Sequence, residues 1–344
     1  MDVSSPTQRA LESADVDRLV SASFGANRRV LDSGPLSGGT FASVWWVTLD
    51  DESCVILKTS PPAAVSLLSY ERDLLAAEAH YYDLVRQKAP SVIVPRVLHY
   101  GSDRTVLDGD WMFLNRLDGH SLADWDSAGP HGDDAPVRRG LGMALASLHA
   151  VVGPRFGYSG GRVGAADWYS AFAGMIDELL ADAQVWEVDL PVAAKQLMAL
   201  VERHRELLNL VQRPALLHFD TWDGNVLAAA CPDDGLRFTG LVDGERFLFG
   251  DPLMDFVSLA IFRRIEDEPR HPALQGYAEG HGKRLALDIS ARRRLALYRM
   301  HLYLLMIVEM PSRGNRPTQQ SSWYRHLVGH LDEQLTELGR DLPA

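Results

Sequence analysis

Leu216-Leu217-His218-Phe219-Asp220-Thr221-Trp222-Asp223-Gly224-Asn225-Val226-Leu227, followed by Leu241-Val242-Asp243-Gly244-Glu245, decides how this chain folds. In each segment a short apolar run of strand character delivers oxygen-bearing side chains into a tight turn. Asp220 and Asn225 lie five positions apart around Gly224, and Asp243 follows Asn225 by eighteen. Two antiparallel strands joined by the polar turn Pro232-Asp233-Asp234-Gly235 would bring all three together. Converging oxygens suit a hard divalent cation such as Mg²⁺, which keeps several waters and is held by one or two protein groups plus substrate phosphates.

Working outward, Val30 to Leu36 reads as a strand, Ser37-Gly38-Gly39-Thr40 as a turn, and Ser43-Val44-Trp45-Trp46-Val47-Thr48-Leu49 as a β-prone run. Asp50 to Ser53 turns the chain into Cys54-Val55-Ile56-Leu57-Lys58-Thr59. Glycines let backbone N–H groups approach a polyphosphate, although a Gly-Gly between strands is by itself only a hairpin. Leu11, Val16, Leu19, Val20 and Phe24 share a helical face that ends near Gly25, and Leu67 to Gln87 has a second helical pattern. Val92 to Val97, interrupted by Pro95, and Trp111 to Leu117 complete five strands. From Leu122 the pattern is helical apart from a polar loop at Ser127 to Pro136. Helices are expected over Val137–Val151, Trp168–Ala183, Val192–Leu210 and Leu295–Met310.

The chain has 344 residues, 46% of them hydrophobic, which supplies cores for two units at about 100–200 residues each. Cys54 and Cys231 are the two cysteines, so no disulfide framework is indicated. With no secretory leader and no apolar run of about 18 residues, the expectation is a reduced, cytoplasmic protein without a membrane span. A net charge of −12 argues against a nucleic-acid partner.

The spacing H-x-D-x-x-x-x-N followed by D-x-x resembles the protein-kinase-like fold, and more closely its aminoglycoside phosphotransferase and choline-kinase branch. Val55-Ile56-Leu57-Lys58 resembles the V-A-I-K strand, and Glu78-Ala79-His80-Tyr81-Tyr82 the E-x-x-F-Y helix. Leu145 to His149 resembles L-x-x-L-H, and Gly250-Asp251-Pro252-Leu253-Met254-Asp255-Phe256 the G-D-P-x-x-D-L segment. Phe219 stands where the family commonly has Gly, Ile56 where a small alanine usually sits, and Gly244-Glu245 depart from the protein-kinase D-F-G. The resemblance covers roughly residues 30 to 262.

It implies an α+β, bilobal protein-kinase-like fold: residues 1–115 form a nucleotide-binding lobe with a five-stranded antiparallel sheet and one main helix, and residues 116–344 a larger, mostly helical catalytic and substrate-binding lobe. The same resemblance assigns Gly38, Gly39 and Thr40 to the phosphates, Lys58 to the α- and β-phosphates, and Glu78 as the partner of Lys58, with Glu71 in reserve. Val44, Ile56, Asn115, Leu117 and Leu227 fall at the nucleotide base, Asn225 and Asp243 at Mg²⁺, and Asp220 beside the acceptor hydroxyl. His149, His218, Asp251 and Asp255 are assigned supporting roles. Glu245 is either a further acid at the metal or a surface residue, and Glu309, Glu266, Asp267 and Glu268 are offered to a substrate groove or to solvent.

The implied activity is a Mg²⁺-dependent kinase that uses ATP or GTP to phosphorylate a small hydroxylated, cationic acceptor such as an aminoglycoside or other antibiotic. It would act as a monomer or homodimer. A metabolite kinase with a choline-like, amino-sugar or homoserine-like acceptor, a regulatory pseudokinase and a metal-dependent phosphohydrolase are the competing readings. Intact Lys58, Asp220, Asn225 and Asp243 weigh against the pseudokinase.

Overall fold

A computed structural model describes residues 5–36, 39–127, 133–231 and 235–340. Its first part contains α1 (Ser13–Phe24), β1 (Val30–Pro35), β2 (Ser43–Leu49), β3 (Cys54–Thr59), α2 (Leu74–Lys88), β4 (Val97–Gly101) and β5 (Trp111–Asn115). The five strands form one antiparallel sheet in the order β1-β2-β3-β5-β4. Strand alternation sorts its side chains onto two faces. Val47, Val55, Leu57 and Phe113 pack outward beneath Val16, Leu19 and Val20 of α1, while Met112 and Leu114 join the main core on the other side. The amphipathic leading helix is therefore the cover of the sheet's outer face, and its chain ends at Gly25, which has φ +98°.

Two expectations shift here. The fourth strand begins at Val97, because Pro95 lacks a ladder donor; Val92 and Val94 are buried in the connection before it. The helix expected from Leu67 is broken: a 3-10 turn at Ser69–Glu71 precedes α2, and Asp73 between them has φ +56°. The Ser69 amide and hydroxyl are both taken by Asp182, at 2.8 Å each, which holds the turn apart from the helix.

The second part runs β6 (His120–Ser121), α3 (Leu122–Ser127), α4 (Ala135–Ala150), β7 (Phe156–Tyr158), β8 (Gly164–Ala165), α5 (Trp168–Val185), α6 (Ala194–Arg203), α7 (Arg205–Leu208) and β9 (Ala215–Leu217). It continues with β10 (Val226–Cys231), β11 (Gly235–Leu241), β12 (Leu248–Gly250), α8 (Leu253–Leu259), α9 (Pro272–His281), α10 (Ile289–Val308) and α11 (Ser322–Gly339). β10 and β11 are antiparallel, as the metal-loop spacing predicts, and β6 extends them. A small sheet, β8-β7-β12-β9, brings the two loops of the quoted segments side by side, since β9 ends and β12 begins next to them. α10 forms the centre of the helical lobe and is buried on nearly every side, so Met300 is core. The arrangement is the bilobal, kinase-like fold expected. Among the described residues no helix is long and apolar enough to cross a membrane.

Candidate active site

Lys58 leaves β3 with Val44 opposite it on β2 and Ile56 two residues earlier, so all three share one face of the sheet. It is buried, and its ammonium donates to both Glu78 carboxylate oxygens, at 2.8 and 2.6 Å, and to Asp243 Oδ1 at 2.5 Å. Burial works against the charge, but the Asp243 and Glu78 carboxylates outweigh it and hold the ammonium's pKa above the ordinary lysine value. Glu78 is thus the ion-pair partner of Lys58. Glu71 instead pairs with Arg313 (2.5 Å) and accepts the Leu68 N–H.

Tyr82, one turn beyond Glu78, enters the sequence only as the last residue of the E-x-x-F-Y resemblance and as an apolar position, with no role of its own. Its hydroxyl donates to Glu78 Oε1 (2.5 Å) and accepts the Asp243 N–H (3.0 Å), so it couples the helix to the metal-loop backbone. The signal available was the Glu-x-x-x-Tyr spacing, which puts both side chains on one helix face. Gly244 answers to the same helix. A Cβ there would lie 2.1 Å from the Tyr81 ring, and this contact explains the glycine in place of a bulkier residue.

The loop of Asp220 is fixed from below by Asp255. Its Oδ2 accepts the His218 N–H (3.1 Å) and its Oδ1 the Phe219 N–H (2.6 Å), while His149 Nε2 bonds the same carboxylate at 3.0 Å. Thr221 is tied to Ser258 and to the Asp255 carbonyl. Phe219, at the family's glycine position, has φ +61°, a left-handed backbone that costs about 1–2 kcal/mol in a non-glycine residue. Its ring is buried against His301, with centroids 5.5 Å apart, which offsets that cost by about the same amount or more. The structure therefore keeps the loop geometry by burying a ring where the family commonly uses the freedom of glycine.

His218 Nδ1 accepts the Asp220 N–H (3.3 Å), so Nε2 is the nitrogen that donates to the Val242 carbonyl (2.9 Å) and ties one loop to the other. Burial raises the Asp220 carboxyl pKa, while Arg246 and His218 pull it down. Asp243 shows the opposite outcome: burial opposes its charge, but Lys58 more than compensates and the pKa falls. Glu245 is buried beside them, and burial first, then repulsion from Glu78 and Asp243, push its pKa up to about 8 against the pull of Lys58. The surface reading of Glu245 is thereby excluded.

The oxygens present fit a hard cation. Asn225 turns its amide nitrogen inward to the Asp220 carbonyl (2.9 Å), leaving Oδ1 as its outward atom, and Asp243 spends Oδ1 on Lys58 and keeps Oδ2. Leu117 lies against Gly240, Leu227 pairs with Gly240 across the ladder, and Asn115 ends β5 with Oδ1 accepting the Arg96 N–H. Gly39 and Thr40 lie in the exposed β1–β2 connection, and Gly38 falls outside the described residues. Glu266 does not serve a groove: it is buried in a two-pronged pair with Arg299. Glu309 accepts from Arg246 at 2.8 Å and from Tyr70. Asp223, also unforeseen, receives both terminal nitrogens of Arg138.

Comparison with known proteins agrees with this fold. Among solved structures, a candidate fructosamine-3-kinase from Thermobifida fusca YX-ER1 superposes with a TM-score of 0.65 at 20% identity, covering 95% of this chain and 100% of that one. The aminoglycoside phosphotransferase APH(4)-Ia, in a ternary complex with AMP-PNP and hygromycin B, gives 0.61 at 16% identity over 95% and 100%. A GDP and kanamycin complex of APH(2")-IIIa gives 0.56 at 16% over 92% and 97%. No curated protein matches by sequence. The model of the phosphotransferase enzyme family matches residues 33–298, and the chain belongs to that family of enzymes, whose members move a phosphoryl group to an alcohol.

Proposed function

We propose that the protein transfers the γ-phosphoryl group of ATP or GTP, with Mg²⁺, to a hydroxyl of a small cationic acceptor such as an aminoglycoside or another antibiotic, in the cytoplasm. The observation that carries this reading is the position of Lys58 Nζ between Glu78 and Asp243, with Asp220 near enough to feel the Asp243 charge and Asn225 bonded to the Asp220 carbonyl. Phosphoryl transfer needs alignment and charge neutralisation more than covalent chemistry from the protein. In this reading Glu78 holds Lys58 toward the phosphates, Val44, Ile56, Leu117 and Leu227 border the base, and Asn115 lies at the strand end that meets it. Asn225 Oδ1 and Asp243 Oδ2 would hold the magnesium, which when bound neutralises phosphate charge. Asp220 orients the acceptor hydroxyl and takes its proton late in a loose transition state. A cationic acceptor is supported by the chain's net charge of −12.

The test is nucleotide consumption across aminoglycosides, other antibiotics, amino sugars, ketosamines and amino alcohols, with Asp220→Asn as control. Acceptor-stimulated turnover that falls about 10²- to 10⁴-fold in Asp220→Asn is expected. Phosphate release independent of any acceptor would instead favour the phosphohydrolase. Tight nucleotide binding without turnover would favour the pseudokinase.

A further inference from the structure

The connection between β1 and β2 is held by the segment that precedes α1. Thr7, fully buried, donates its hydroxyl to the Thr40 carbonyl at 2.9 Å, and Gln8 Nε2 donates to the Gly39 carbonyl at 2.8 Å. Ser5 completes the set. Its Oγ lies 2.9 Å from Thr7 Oγ1 and, since that hydroxyl's proton goes to Thr40, must be the donor, while its N–H bonds Gln8 Oε1. Further along, the Arg9 carbonyl accepts the Ser43 hydroxyl at 2.7 Å, and the Arg9 side chain reaches the Ser60 and Pro61 carbonyls after β3. A polar strap thus ties down the flap.

In a trans peptide the C=O and the following N–H point in opposite directions. Pulling the Gly39 and Thr40 carbonyls onto the strap therefore turns the N–H groups of Thr40 and Phe41 away from it. Neither N–H is received by an acceptor among the described residues. Two successive free N–H groups form the concave donor pair that binds anions. Phe41 is itself anchored: it is 8% exposed, and the Arg313 guanidinium sits 5.0 Å over its ring. The strap also touches the loop that carries Arg313, since a Cβ on Gly314 would lie 3.1 Å from Pro6.

We infer that Thr7 and Gln8 are positioning residues for the phosphoryl donor: by holding two consecutive flap carbonyls on the strap, they aim the N–H groups of Thr40 and Phe41 at the polyphosphate. This rests on the kinase reading above. Neither side chain touches substrate; the backbone donors do. The strap's contribution falls on the phosphates and not on the base or the acceptor.

The experiment measures binding of ATP, GTP, adenosine and guanosine to the full chain by calorimetry, together with nucleotide and acceptor KM. Thr7→Val is expected to weaken the triphosphate about three- to tenfold, the worth of one hydrogen bond, with nucleoside affinity and acceptor KM unchanged. Thr7→Ser should restore it. Gln8→Ala, on a side chain that is only partly buried, should repeat the pattern with the melting temperature intact. Equal weakening of nucleoside and triphosphate, or no weakening in either variant, overturns the assignment. Wild-type chain that binds neither triphosphate would instead remove the kinase reading on which it stands.

Discussion

Glu71 and Glu78 are both buried acids in the same stretch of sequence, yet they serve two different clusters. Glu78 meets Lys58 and, through it, Asp243 at the cleft. Glu71 meets Arg313, which lies within 3.7 Å of Glu309, itself bonded to Arg246 and Tyr70. On an unbroken helix, residues seven apart fall on the same face two turns from each other. The left-handed backbone at Asp73 ends that stacking and turns Glu71 toward the C-terminal loop. One acid holds Lys58 beside Asp243 and the other joins the strand-rich lobe to the loop after α10. Sequence spacing alone makes them equivalent; the extended backbone of Arg72 and the left-handed one of Asp73 separate them.

The sharpest way to break this comparison is to neutralise each acid in turn. Glu78→Gln leaves Lys58 buried without its two-oxygen anchor, and kcat/KM with any identified acceptor should fall about a hundredfold or more, since removing one partner of a buried pair costs about 3–5 kcal/mol. Melting and acceptor-free nucleotide hydrolysis, measured beside it, separate a positional effect from a loss of fold. Should Glu71→Gln produce that loss of turnover while Glu78→Gln does not, the assignment of the two clusters would be reversed.

Glu71→Gln is expected to act on stability instead. The Arg313 guanidinium, on a nearly buried side chain, would lose its principal carboxylate and keep only the more distant Glu309. Unfolding free energy from urea titration should drop by about 3 kcal/mol, with kcat/KM within about threefold of wild type. A variant as stable as wild type would mean that the Glu71 cluster does not join the two lobes.

The difference between these acids also marks where sequence reading reached its limit. The two turns that carry Asp220 and Asp243, and the strands β2, β3 and β5, were legible because each depends on neighbours within a few positions. The helix α1 was legible from its apolar face, but not that it covers the outer face of the sheet. What was missed depends on partners far along the chain: Arg313 for Glu71, Ser258 for Thr221, Arg138 for Asp223. The strap at Ser5–Arg9 left no motif because its polar side chains bond backbone carbonyls, which every residue carries. Phe219 looked like a departure from pattern, and only its buried ring shows how the left-handed turn is kept without glycine.

A third buried group sharpens the contrast from the opposite side, because among the described residues it has no ionic partner. His301 on α10 lies under Phe219 and Phe172, its Nδ1 has no hydrogen-bond partner among the described residues, and burial, helped by Arg246, depresses its pKa from 6.5 to about 3. The folded protein thus keeps the ring neutral where the unfolded chain would take a proton. Between those two values the unfolded state binds more protons, so stability rises with pH and is lost as pH falls below about 6.5. The slope from this one group is at most about 1.4 kcal/mol per pH unit. Replacing it by His301→Leu should flatten the wild-type loss between neutral and acidic pH, measured as the difference in urea unfolding free energy at each pH. Identical pH dependence in the two proteins would show that the ring under the Asp220 loop is solvated or charged in solution, and that loop would then rest on a floor much wetter than the packing of Phe219 implies.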